Sequence, residues 1–395
     1  MICGYLLARA GVDVVVLEKH KDFLRDFRGD TIHPSTLELL DEAGLLEKFL
    51  ARPHDKAHEV AAEIGKDRFA VGDFTQISTR CKFMVFMPQW EFLDFIAGEG
   101  KKLPNFHLFM EAEVTELLAR GARIAGVRVR TPDDAGDITA HLVIGADGRH
   151  STVRAKAGLK VREIGAPFDV LWLRLPADPN DPTEPVARAI AGNFFIMLNR
   201  RDYWQCALVI PKGGFAALKA EGLSAFRARL RTCAGFARDR VEAIESFDEI
   251  KLLTVAIDRL RRWSRSGLLC IGDAAHAMSP VGGVGINLAI QDAVATANLL
   301  APILRRRRAT AEELAQVQRR REFPTKLTQW FQVQVQNRVL APTLRSTTTP
   351  APPPVLRLLN RWRWLRRWPA RFVGIGVQPE HLRPQLFNRG DNAPK

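Results

Sequence analysis

Residues 268–291 read LLCIGDAAHAMSPVGGVGINLAIQ. Leu268, Leu269, Cys270 and Ile271 form a short apolar run that predicts a buried strand stopping at Gly272-Asp273. A loop with Pro280, Gly282, Gly283 and Gly285 follows, and then a helix from about Ile286 to Leu300, closed by Pro302. A carboxylate at a strand's carboxyl end accepts hydrogen bonds from a polyol. Glycines let backbone approach a flat ring closely, and a helix N-terminus stabilises negative charge on that ring. Such parts suit a flavin, whose ribityl chain is a polyol and whose reduced ring is anionic.

The combination Gly272-Asp273-Ala274-Ala275-His276, Pro280 and Gly282-Gly283-Val284-Gly285-Ile286-Asn287 resembles the second FAD-binding motif of the single-component flavoprotein aromatic hydroxylases. That family includes p-hydroxybenzoate hydroxylase and the ubiquinone-biosynthesis hydroxylases. The alternative, an ordinary strand–loop–helix with chance glycines, is disfavoured by the joint spacing of acid, proline and glycines. The resemblance implies that Asp273, following Gly272, binds the ribityl chain and that Pro280 lines the oxygen-reacting face. It further implies that the loop ending at Gly283 leads into Gly285, Ile286 and Asn287, whose N–H groups meet the flavin's pyrimidine edge. His276 suits a catalytic role and a structural role equally.

A second segment supports this reading. Thr139 to Ile144 predicts a strand, and Gly145-Ala146-Asp147-Gly148-Arg149-His150-Ser151 turns into a helix through Arg154, ending at Gly158, with Ser151 as N-cap. Asp-Gly by itself marks many ordinary turns. Its position about 125 residues before Gly272-Asp273 makes it similar to the family's Asp-Gly motif, which implies contacts from Asp147 and Gly148 to FAD and reduced nicotinamide.

At the amino terminus, Ile2 to Arg9 predicts a helix ended by Gly11, and Val12 to Leu17 a β-branched strand ending at Glu18. An acid at the end of the second strand of a dinucleotide-binding unit accepts hydrogen bonds from the adenosine ribose. The preceding strand and its GxGxxG loop are absent. In the family the third glycine precedes the acid by about eighteen residues, which falls just before Met1. A misassigned start is expected, ahead of a truncated product. Arg28 and Gly29, before a helix over Ser35 to Ala43, resemble the family's arginine beside the FAD pyrophosphate, where a guanidinium makes forked bonds; a surface arginine is the alternative. Gln89 resembles a ribityl contact, and Val114 a backbone contact to adenine.

The chain has 395 residues, 46% of them apolar, enough for one large globular unit of two intertwined subdomains. The expected fold is α/β. A Rossmann-like FAD-binding domain, N-terminally truncated, occupies 1–57, 90–160 and 263–340. An inserted antiparallel β-sheet substrate domain occupies 58–89 and 161–262, from the β-rich runs Val170 to Leu175, Asn193 to Leu198, Tyr203 to Ile210 and Lys251 to Ile257. No apolar run is expected to reach membrane-spanning length, and Arg9 and Asp13 break any secretory signal. Cys3, Cys81, Cys206, Cys233 and Cys270 show no pairing framework, which points to free thiols and a cytoplasmic protein.

Charge is uneven. The net charge is +14; residues 351–395 carry eight arginines and one lysine against Glu380 and Asp391, a net +7. After the stiff Pro350-Ala351-Pro352-Pro353-Pro354, a helical projection of this basic C-terminal segment (341–395) places Val355, Leu358, Leu359, Trp362 and Leu365 on one side. The leading expectation is a terminal helix packed by that side; weak peripheral contact with an anionic membrane is the other. Nucleic acid is not an expected partner, because only charge supports it.

The resemblance implies an FAD-dependent monooxygenase that uses NADH or NADPH and dioxygen on a small aromatic, phenolic substrate. In the family oxygen adds at the flavin's C4a carbon, and the hydroperoxide hydroxylates the ring. Alternatives are another FAD-dependent oxidoreductase of this fold, such as an isoprenoid reductase, or a non-catalytic truncated remnant. A halogenase WxWxIP motif is absent, since Trp362-Arg363-Trp364 lacks the following Ile-Pro. With only Tyr5 and Tyr203 in the chain, a two-tyrosine proton relay is not expected.

Overall fold

A computed structural model describes residues 1–24, 31–182 and 184–387. Outside the larger sheet described below, the parallel strands form two separate pieces. Val14–Leu17 pairs in parallel with Phe106–Phe109, Val14 facing Phe106 and Leu17 facing Phe109. Val143–Gly145 pairs in parallel with Leu268–Cys270, whose other side carries Ser264–Arg265. Val14–Leu17 and Val143–Gly145 each pair on one side only among the described residues. β-Branched Val14, Val15 and Val16 favour the extended chain. The strands of each pair are joined by long crossovers, as parallel pairs require.

Helix Ile2–Arg9 lies on the first piece with its backbone in close contact. A Cβ on Gly4 would sit 2.6 Å from Val16 Cγ2 and 3.3 Å from the Phe106 ring, so only glycine fits there. The same helix packs against Gln89–Gly100 and against the long helix Gly285–Leu304. Leu7, Leu37, Phe49, Phe92, Ile96, Leu269, Val294 and Leu300 are buried in one core between these elements. Each such side chain contributes roughly 1.5–3 kcal/mol. All five cysteines are buried and free.

A larger sheet of seven strands stands beside this core, in the order Lys251–Leu253, Phe168–Pro176, Tyr203–Pro211, Asn193–Asn199, Val186–Ile190, Glu59–Ile64, Asp67–Asp73. It is antiparallel except where Val186–Ile190 meets Glu59–Ile64 in parallel, the seam between two distant stretches of chain. One face packs on Leu223–Cys233 and the 3-10 segment after it. The other carries Phe168, Val170, Ala207 and Val209, with Trp172, Phe194 and Ile196 half-buried around them, and packs on Val281, Leu340 and Leu344.

Several expectations need correction. The strand read over Thr139 to Ile144 is two strands. Ala135–Thr139 runs antiparallel to Arg123–Arg130, and Val143–Gly145 joins the parallel pair. The switch lies between Ala140, whose N–H donates to Ala125, and Val143, whose N–H donates to Gly267. The last core helix does not stop at Pro302 but runs to Leu304. Proline removes the donor to the carbonyl four residues back, and Arg383 reaches that Asn298 carbonyl at 3.5 Å. Val281–Leu304 is also long and apolar enough to cross a bilayer, contrary to expectation, yet 78% of its apolar window is buried inside the protein.

The C-terminal segment is not one helix. Pro354–Arg361 ends at extended Trp362, a 3-10 turn spans Arg363–Arg366, and a second helix covers Arg367–Gly374. Buried Arg366 donates to the carbonyls of Leu359 (2.9 Å) and Asn360 (3.2 Å), taking up the end of the first helix. The projected apolar side is not the buried one. Leu359 is buried, while Val355, Leu358 and Trp362 are exposed. Asn360 exchanges hydrogen bonds with the backbone of Arg68 and Ala70, which covers the free edge of Asp67–Asp73.

Candidate functional site

Each of the two parallel pairs is followed, at its strands' carboxyl ends, by residues singled out by sequence. In open α/β sheets the carboxyl side holds the ligand crevice. Glu18 follows Leu17; its N–H donates to Phe109 and its carbonyl accepts from Ala112, which brings it within two residues of Val114. Asp147 and Gly148 follow Gly145, and Gly272 and Asp273 follow Cys270 and Ile271. Gly148 (φ 83°) and Gly272 (φ 58°) turn the chain sharply in the left-handed region. Gln89 opens its helix three residues after Phe86, which pairs with Thr31. Arg28 lies outside the described residues.

Asp147 does a local job. Its carboxylate accepts from Ser151 Oγ (2.5 Å) and Val153 N–H (3.0 Å), and Ser151 in turn caps Thr152–Lys156 at Arg154 N–H (2.9 Å). The two motifs are then tied together. Arg154 meets Asp258 at 3.1 Å, and Asp258 accepts from Ala277 N–H (3.1 Å) in the loop after Asp273. Arg149 lies 3.7 Å from the half-buried Asp273 carboxylate.

Helix Gly285–Leu304 begins without a side-chain cap, so its first N–H groups, at Gly285, Ile286 and Asn287, lack helical partners. A Cβ on Gly285 would meet only Met278, at 3.8 Å, which leaves the approach open. The Asn287 side chain points the other way. It accepts from His33 N–H (3.0 Å) and Thr36 Oγ1 (2.7 Å) and donates to the Thr31 carbonyl (3.1 Å). It therefore ties the helix start to the segment after Arg28, leaving only its backbone N–H for a ligand.

The loop between Asp273 and Gly285 is held from behind by groups the sequence did not single out. Asp292, fully buried, accepts from Gly272 N–H (3.0 Å), faces His276 Nε2 (2.6 Å), and pairs with buried Arg321 (3.1 Å). Burial alone would raise the Asp292 carboxyl, but His276, Arg321 and the Gly272 N–H hold it below the ordinary carboxylate value. Gln332 donates to the carbonyls of Ser279 and Val281 (both 2.9 Å) and accepts from Ser279 N–H, bracketing Pro280. Gln329 donates to the Ala277 carbonyl (3.1 Å). His276 is 1% exposed and sits in this supporting layer, whereas Pro280 is half-buried on the open side.

His33 completes the surroundings. Its Nδ1 meets the Val373 carbonyl at 2.7 Å, and its Nε2 is buried with no hydrogen-bond partner among the described residues. That nitrogen would lie 3.8 Å from a Cβ on Gly283 (φ 62°). Burial lowers its pKa to about 4, against the opposing effect of the Val373 bond, so the ring is neutral at pH 7. The open glycine cradle, the uncapped N–H groups and the half-buried Asp273 carboxylate match the needs of a flavin ring and its ribityl chain.

The chain is similar to known proteins in sequence and in fold. The profile of the FAD binding domain family matches residues 1–331. The 6-methylpretetramide 4-monooxygenase of Streptomyces rimosus is 32% identical over 390 residues, covering 98% of this chain and 92% of that protein. An uncharacterized aromatic compound monooxygenase of Bacillus subtilis is 26% identical over 73% of this chain, which spans 56% of its length. Among solved structures, the p-nitrophenol 4-monooxygenase of Pseudomonas putida shares the fold with a TM-score of 0.74 at 19% identity, covering 99% of this chain and 96% of its own.

Proposed function

Because this chain belongs to the FAD-dependent aromatic hydroxylase family, we propose that it hydroxylates a small, phenolic aromatic substrate with dioxygen and NADH or NADPH. It is an FAD-dependent monooxygenase. The observation that carries the site assignment is that Asp273 follows a parallel strand on a turn packed against Gly285–Leu304, the helix whose start is uncapped. Bound FAD supplies the redox chemistry, taking electrons from the nicotinamide and passing them to oxygen; the protein orients, excludes water and tunes charge.

In this reading Asp273 accepts from the ribityl hydroxyls, and Arg149 balances its charge. The N–H groups of Gly285, Ile286 and Asn287 hold negative charge on the pyrimidine edge, as a helix start does. Pro280, rigid and bracketed by Gln332, shapes the reacting face. His276 acts as a positioning residue through Asp292. Glu18 and Val114 take the adenosine, with Arg28 and Gln89 at the pyrophosphate and ribityl chain; Asp147 and Gly148 shape the crevice. The aromatic substrate lies toward the face of the large sheet around Trp172, Phe194 and Ile196, the face that packs on Val281 beside Pro280.

The test is NAD(P)H oxidation by the FAD-loaded protein across a panel of phenols, with products analysed by mass spectrometry. The proposal expects oxidation stimulated by a phenol and a product heavier by one oxygen. Phenol-independent oxidation with peroxide as sole product throughout would refute the substrate assignment.

A further inference from the structure

Beyond Arg321, helix Ala311–Val335 is inside out. Its polar Thr325, Thr328, Gln329 and Gln332 are buried, while Phe323, Trp330 and Phe331 face solvent on one side, spaced at helical intervals. Trp330 is 59% exposed. The C-terminal segment extends this face. The Phe331 ring lies 4.7 Å from that of Phe372, one turn beyond Trp368 in Arg367–Gly374. The Arg367 guanidinium stands 5.3 Å from the Trp368 ring and 5.7 Å from the Trp364 ring. Trp364 and Trp368 are 54% and 57% exposed, and Val355, Leu358 and Trp362 continue the apolar surface along Pro354–Arg361.

Around these rings stand Arg357, Arg361, Arg367 and Arg371, all exposed, none in an ion pair among the described residues. Two chemistries thus share one surface. Large apolar patches on a soluble protein mark interaction sites. Tryptophans are favoured at the headgroup level of a bilayer, and arginines beside them draw on the negative potential of anionic lipids. A second copy of this chain fits less well, since a two-fold contact would bring the unpaired arginines toward one another.

We propose that the surface formed by Phe323, Trp330, Trp364 and Trp368 with Arg361 and Arg367 docks on an anionic lipid bilayer. The tryptophans enter the headgroup layer, and the arginines meet the lipid phosphates and acidic headgroups. The same helix holds the Pro280 loop through Gln329 and Gln332 on its inner side, so the docked face lies directly behind the proposed flavin site.

Flotation of the full chain with phosphatidylglycerol–phosphatidylcholine vesicles tests this, with pure phosphatidylcholine vesicles and high salt as controls. The wild type should float with the anionic vesicles only, lose that association at high salt, and show blue-shifted tryptophan emission. Arg361→Glu with Arg367→Glu should weaken partitioning roughly tenfold or more, and so should Trp364→Ala with Trp368→Ala. Circular dichroism and FAD content report that these exposed substitutions leave the fold intact. Absence of flotation, flotation unaffected by either double variant, or a solution dimer that both variants dissolve while lipid binding is nil would overturn the proposal.

Discussion

The two ends of the proposed FAD site are built on different physics. Around Asp273 the chain is fixed by buried, paired charge. Asp292, Arg321 and His276 hold Gly272, while Gln329 and Gln332 clamp the backbone on either side of Pro280. Around Glu18 the chain is placed by apolar packing of Ile2–Arg9 against Val14–Leu17, a strand paired on one side only among the described residues. The ring end therefore resists distortion through groups that cannot be removed singly, and the adenosine end depends on contacts that tolerate more change. Chemistry that needs a fixed ring geometry belongs at the first end.

The largest effect should come from cutting the charge cluster. Asp292→Ala removes the nearer of the two buried carboxylates on Arg321, leaving Glu380 at 3.6 Å, strips His276 of its partner and frees the Gly272 N–H, destabilising the protein by roughly 3–5 kcal/mol. Glu18→Ala, at a partly exposed strand end, should change stability by less than about 0.5 kcal/mol. Urea unfolding of both variants checks the contrast; equal losses would erase it.

Acid should act through His33, beside the glycine loop. Its pKa in the folded protein is about 4, against an ordinary value of 6.5. Between these values the unfolded chain binds a proton that the folded one refuses, so stability falls as pH drops from 6.5 toward 4. The full loss is about 3 kcal/mol. Asp292, held below 3.8, adds its own loss only at more acid pH. His33→Gln should flatten the denaturation profile between pH 6.5 and 4, and an unchanged slope would show that His33 is not the titrating group.

A smaller effect belongs to the Asp-Gly turn, where the charge is closer to water. Ser151→Ala removes the cap at Arg154 N–H and one donor to Asp147, for about 1 kcal/mol. Thermal unfolding of this variant should fall between those of Glu18→Ala and Asp292→Ala.

What was legible in the sequence follows the same division. Gly272, Asp273, Pro280 and Gly285 carry their chemistry in local order: a strand end, an acid, glycines and a helix start. The seven-stranded sheet showed in its β-rich runs, though not its parallel seam, because pairing between residues near 60 and near 187 leaves no local mark. The supporting layer was hidden for a similar reason. Asp292 and Arg321 look like ordinary polar residues on two helices until folding brings them 3.1 Å apart. His33 meets its Val373 partner across nearly the whole chain. In the C-terminal segment the helical projection misjudged the buried side, since periodicity cannot foresee the break at Trp362 or the inward turn of Arg366.

In the proposed site the Gly272–Asn287 segment grips the flavin through the Asp273 carboxylate. Fluorimetric titration of FAD into wild type and Asp273→Ala decides whether it does. Loss of a charge-assisted acceptor should weaken binding by roughly 1.5–3 kcal/mol, about ten- to hundredfold, with the unfolding midpoint nearly unchanged. Equal FAD affinity in the two proteins would contradict the claim and remove Asp273 from the site.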